Sequence, residues 1–235
     1  SSIDTEESTS ECFLLKQQRE TIALKNKACP SALLPNTGGS GYYRWSLPPQ
    51  QWLSLMESFD TLSISEQISV ANSLSAALNN GSITLDEYLE VVPKITTSKS
   101  WRVAMAPLSD LYKIKDFVAN ADEKKVIQDK LRQWYQPQLD RLNALPNRRS
   151  DEEQFREFAM SALAHGAEDT TVRASLVASA IAYTGFEADE QFHPEALETD
   201  LRRLALNVAA QELGQPFADL LWQHFLKEDN AQLRQ

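Results

Sequence analysis

The chain has 235 residues, 42% of them hydrophobic and 24% charged, the balance of a folded globular protein long enough to bury a core without metals or disulfides. Its formal net charge of −10 disfavours nucleic acid as a partner, because phosphate binding needs clustered Lys and Arg. The longest apolar run, Ala174 to Tyr183, is about half of the ~20 residues that a membrane span requires.

The chain opens on SSIDTEESTS, which is acidic and polar and therefore no signal peptide, and its first residue is Ser rather than Met. A processed chain or an excised segment is expected. Cys12 and Cys29 are the only cysteines, too few for a structural zinc site, and sequence leaves open whether they pair. Residues 12–16 and 21–24 mix apolar and polar side chains around a polar stretch and predict a small hairpin. The run Pro35-Asn36-Thr37-Gly38-Gly39-Ser40-Gly41 predicts a turn-rich loop, and Tyr42-Tyr43-Arg44-Trp45 after it predicts a strand. Three strands would form an incomplete sheet.

From Pro49 onward the pattern is helical. Gly81, Gly166, Gly185 and Gly214 each stand where an apolar period stops, as glycine does just past helix ends. Ser63-x-x-Glu66, Thr84-x-x-Glu87 and Ser150-x-x-Glu153 read as capping boxes, with Asn120 and Glu123 a related start. Pro194 and Pro216 suit first-turn positions. Leu131, Tyr135, Leu139 and Leu142 keep helical spacing, with Pro137 expected to kink or break the helix; Leu197, Leu201, Leu204 and Val208 do the same. The small residues of 174–182 predict a buried helix packed closely on its neighbours. Nine or ten helices with short connections favour antiparallel pairs, so the expected fold class is mainly α: an irregular α-α superhelix, a HEAT-like bowl, with a small N-terminal β segment. The expected division is 1–47 and 48–235.

Chemistry is sparse. His165, His193 and His224 are isolated, with no H-x-x-x-H pair, and His165 beside Gly166 suits the bonding of helix-end carbonyls. No G-x-S-x-G elbow occurs, and the glycines of 38–41 lack the Lys-Ser/Thr ending of a phosphate loop. Acidic clusters such as Asp86-Glu87 and Asp151-Glu152-Glu153 sit at helix starts, where they oppose the helix dipole. The basic doublets Arg148-Arg149 and Arg202-Arg203 lie among acidic residues and read as solvated helix surface. Tyr42, Tyr43, Trp45 and Trp52 form the densest aromatic cluster, read as core or domain-interface packing.

The stretch Asn36 to Arg44, with its Gly41-Tyr42-Tyr43-Arg44 core and Trp52 on the next helix, resembles a junction in aminopeptidase N-type zinc metallopeptidases. There a small β-sandwich ends and the helical C-terminal domain begins. Cys29-Pro30 looks like bacterial members, and Leu201 to Gly214 resembles the late helices; Trp45 and Ser46 stand where Val and Asn are commoner. The resemblance implies that 1–47 is the tail of the sandwich and 48–235 the helical domain. Asn36, Gly41, Tyr42, Tyr43, Arg44 and Trp52 would then be structural junction residues. It implies no catalytic, metal or cofactor-binding residue here, because the family's H-E-x-x-H and G-A-M-E-N-like loop are absent from the chain. Zinc is expected in a separate catalytic domain, and that domain and peptide substrates are the implied partners. The alternative is a free-standing helical-repeat scaffold with a groove for a partner helix.

Overall fold

The structure, a computed structural model, describes residues 2–3, 9–25 and 29–227. These form a mainly α protein with a small N-terminal β segment, divided into two compact units, Ser1–Ile114 and Lys115–Gln235.

In the first unit β1 (Ser2–Ile3) pairs antiparallel with β2 (Ala32–Leu33), Ser2 opposite Leu33. The predicted hairpin of 12–16 and 21–24 does not form. Backbone N–H groups there go to carboxylates instead, Lys16 to Glu20 at 3.3 Å and Lys25 to Glu11 at 2.8 Å, and Phe13, Leu14 and Leu15 stay exposed. Tyr42 to Trp45 makes no ladder either. The three-stranded sheet is thus reduced to one two-residue pairing.

Five helices follow: α1 (Pro49–Glu57), α2 (Ile64–Asn79), α3 (Leu85–Thr96), α4 (Trp101–Ala104) and α5 (Leu108–Lys113). Ser63 and Glu66 cap α2 reciprocally, and Thr84 and Glu87 cap α3 in the same way. Trp52, Leu55, Phe59, Leu74, Tyr88 and Ile95 fill the core between them. The polar groups buried there are paired: Gln67 donates to the Phe59 and Leu62 carbonyls and accepts from Ser98, and the Tyr88 hydroxyl donates to Asp110.

The second unit holds α6 (Ala121–Asn143), α7 (Ser150–Ser161), α8 (Thr170–Thr184), α9 (Arg202–Leu213) and α10 (Gln215–Lys227). A π-turn, Ala162–Gly166, ends α7. Helix α6 packs on α7, and α9 packs on both α8 and α10. Asn120 caps α6 through the Asp122 and Glu123 N–H groups, both at 3.0 Å. The third box is displaced by one residue. Ser150 is already helical, and Glu152 rather than Glu153 reaches back, to the Arg149 N–H at 2.8 Å.

Helix α6 also runs through Pro137 without a break. An interior proline costs about 3 kcal/mol, whereas Leu139 and Leu142 beyond it are buried and contribute about 2 kcal/mol each. The basic doublets are engaged, not merely solvated. Arg148 pairs with Glu198, which also takes Arg156, while Arg202 lies over the Tyr183 ring and donates to the Pro194 carbonyl.

The prediction for 174–182 is corrected as well. Val172, Leu176, Ala180 and Thr184 form one buried stripe of α8, but Ala174, Ala178 and Ala182 on another face are exposed. Gly185 ends this helix at φ +62, a left-handed conformation that suits glycine.

Leu131 is fully buried at the centre of α6. Leu131→Ala is expected to destabilise the protein by about 3 kcal/mol in urea unfolding, through lost transfer energy and a residual cavity.

Candidate functional site

The junction residues meet in a closed loop. Asn36 is buried, and its amide makes three hydrogen bonds. The side-chain oxygen accepts from the Gly41 N–H at 2.8 Å, and the amide nitrogen donates to the Gly41 carbonyl at 2.9 Å and to Ser69 Oγ at 3.0 Å. A Cβ on Gly41 would collide with the Tyr43 ring, so the loop requires glycine there. The Tyr43 hydroxyl turns back to donate to the Pro35 carbonyl at 2.7 Å, which is why this stretch closes on itself instead of extending into a sheet.

Glu66 fastens the loop to the start of α2. One oxygen accepts the Gly38 N–H at 2.9 Å, and the other accepts the Ser63 N–H at 2.9 Å and the Ser63 hydroxyl at 2.8 Å. Burial pushes this carboxyl up, but those donors outweigh it and hold it below the usual glutamate value. Trp52 is buried and stacks on Trp45 with centroids 4.9 Å apart. Tyr42 and Arg44 point away and are exposed. The structure therefore unites Asn36, Gly41 and Tyr43, seats Trp52 beneath them, and leaves Tyr42 and Arg44 outside. Beside this loop lies a groove of about 790 Å³ lined by Phe13, Leu15, Leu34, Tyr43 and Trp45.

A second concave site lies in the other unit, around the end of α7. Helix ends leave carbonyls without intrahelical partners, and here three cations from separate elements take them. Lys115 Nζ donates to the His165 carbonyl at 3.0 Å, Arg132 to the Ala167 carbonyl at 3.1 Å, and Arg173 to the Ala164 carbonyl at 2.9 Å. Each cation is itself held by carboxylates. Lys115 meets Glu168 at 3.2 Å, Arg132 meets Asp169 at 2.8 Å, and Arg173 meets Glu212 at 2.6 Å. Asp169 uses its other oxygen to cap α8, accepting from Thr171 and Val172. Burial raises the Asp169 carboxyl, yet the Val172 N–H and the Arg132 guanidinium hold it below its ordinary value. The sequence assigned the capping of this end to His165; the imidazole does not do it, and the three cations were missed because they lie 50, 35 and 9 residues from the carbonyls they bind.

Next to this cap is a cleft of about 800 Å³, bordered by His165, Glu168, Arg173 and Glu212 and floored by Ala178 and Ile181. The volume lies within the range of ligand sites. Burial, then the Arg173 and Lys115 charges, hold the His165 imidazole below the ordinary histidine value, so it is neutral at neutral pH.

Neither site is a metal centre. Among the described residues no group of three or more His, Cys, Asp or Glu is placed to hold a metal ion. His193 pairs with Asp189 at 3.1 Å, and His224 stacks on Phe192 and bonds the Glu190 carbonyl. Cys12 and Cys29 are free and exposed. Among the described residues no helix is long and apolar enough to cross a membrane.

Two outcomes test this geometry. Asn36→Ala should cost about 2–3 kcal/mol in chemical unfolding, since it strands the buried peptide groups of Gly41. Glu66→Gln should narrow the stability difference from the parent chain at low pH. The Glu66 contribution is fully present above its unfolded-state pKa and is lost as the pH falls through the depressed folded value. Melting curves of both chains across the acid range measure that convergence.

The family model for the ERAP1-like C-terminal domain matches residues 32–235, from β2 onward and including the whole junction loop. A search of curated proteins finds no match to the chain. The family match agrees with the resemblance carried by Asn36 to Arg44, and the chain belongs to the family of ERAP1-like C-terminal domains, the helical C-terminal domain of aminopeptidase N-type enzymes.

Proposed function

We propose that this chain is the non-catalytic C-terminal domain of a zinc aminopeptidase, where it covers the active-site chamber and restricts which peptides enter. The observation that supports the reading is the family match across 32–235 in a sequence that contains no H-E-x-x-H. The donor set of this chain does not fit a catalytic zinc, as three scattered histidines converge with no carboxylate pair. Zinc and the residues that activate water belong, on this reading, to a catalytic domain in the same polypeptide, and that enzyme removes N-terminal residues from peptides. The boundary follows the same logic, with 1–47 as the end of a preceding domain and 48–235 as the helical domain. This chain contributes packed helices, and a helix end braced by three ion pairs gives its second unit a wall that resists deformation when a peptide presses on it.

The test has two arms. The reading frame upstream of Ser1 should encode H-E-x-x-H a few hundred residues earlier. The purified 235-residue chain should release no chromophore from aminoacyl anilides, with or without added zinc. A start codon directly before Ser1 would instead favour an independent scaffold, and zinc-dependent turnover by the chain alone would show that it carries its own catalytic centre.

A further inference from the structure

The cleft beside α8 separates its charges by depth. Arg173 and Lys115 lie low, with side chains 16% and 7% exposed, whereas their partners Glu212 and Glu168 stand at the rim, 47% and 58% exposed. Each rim carboxylate gives one oxygen to its buried cation, Glu212 Oε1 to Arg173 and Glu168 Oε1 to Lys115. The second oxygen of each makes no hydrogen bond among the described residues and faces incoming molecules. Cations that are buried and spent on backbone carbonyls leave the mouth of the cleft electronegative.

The floor has a different character. Ala174 and Ala178, one turn apart and exposed, leave the α8 backbone open to close approach, and Val177 and Ile181 beside them are half-buried and apolar. Arg173 is the one charged residue between Thr170 and Thr184, so the open face of the helix offers nothing that prefers water strongly. An apolar helical floor under a carboxylate rim suits a chain that brings both apolar contact and a positive charge.

We propose that this cleft binds an extended peptide segment through a lysine or arginine side chain, with Glu168 and Glu212 as the residues that select it. The proposal deepens the function proposed above and rests on it: the occupant is the part of a peptide substrate distant from the bond being cut. The carboxylates select by charge, and the alanine floor admits the peptide backbone.

The probe is a fluorescein-labelled nonapeptide of alanine and valine with one central lysine, compared with its counterpart carrying glutamate. Both are titrated with the 235-residue chain at low salt near neutral pH and read by anisotropy. The lysine peptide is expected to bind at least about tenfold more tightly, with the difference shrinking as salt is raised. In the Glu168→Gln, Glu212→Gln double variant, Arg173 and Lys115 become the net charge of the cleft, and preference should pass to the glutamate peptide. Ala178→Trp fills the floor from an exposed helix position, where it leaves the core untouched, and should abolish binding of both peptides. Equal affinities, no saturable binding, or indifference to Ala178→Trp would overturn the proposal. Should the double variant fail to fold, by circular dichroism, the tryptophan variant and the two peptides still decide it. Binding is read here without turnover, so this result stands apart from the upstream reading frame that decides the aminopeptidase assignment.

Discussion

The carbonyl end of α7 is the point on which the second unit depends. A helix end concentrates negative partial charge, and inside a protein that charge must be met by hydrogen-bond donors or it destabilises the fold. Lys115, Arg132 and Arg173 meet it from the segment before α6, from α6 itself and from α8. Because each cation has its own carboxylate, no charge is left stranded near the core, the condition under which partly buried ion pairs are tolerable. Glu168 adopts a left-handed conformation, φ +49, an uncommon one for a residue with a side chain, and its ion pair with Lys115 offsets the strain. The same arrangement orients Glu168 and Glu212, so the electrostatic surface of the cleft follows from how a helix end was satisfied.

The first unit solves a different problem with one neutral side chain. A loop with three glycines has high conformational entropy when unfolded, and something must hold it. Asn36 does so by mimicking a peptide group, engaging both the donor and the acceptor of Gly41 while reaching Ser69 on α2. Glu66 then serves two roles, closing the capping box of its own helix and receiving the Gly38 N–H. Loop and helix are thereby tied through a single carboxylate.

Local signals were legible in the sequence and distant ones were not. The boxes at Ser63/Glu66, Thr84/Glu87 and Asn120/Glu123 involve partners three residues apart, and each appears as read. The buried stripe Leu131, Tyr135, Leu139 and Leu142 likewise follows from helical period alone. The strands expected from 12–16, 21–24 and 42–45 failed because strand propensity describes a residue's fit to a sheet and says nothing of whether a neighbouring strand exists. For α8, composition shows which residues are small and apolar but not which face finds a neighbour. At the junction, the residues Asn36, Gly41 and Tyr43 could be picked out from their pattern, though not the reciprocal bonds that explain it. The cleft was invisible, since its borders come from 165–181 and 211–212 and converge only through the packing of α8 on α9.

The stacked indoles of Trp45 and Trp52 carry a consequence of another kind. Rings 4.9 Å apart and inclined by only 18° share their excited states, so their optical transitions are coupled rather than independent. The native junction therefore possesses a chiral spectroscopic signature of its own, distinct from the helical background. Opening of the segment between the glycine loop and α1 would extinguish that signal even if every helix stayed intact.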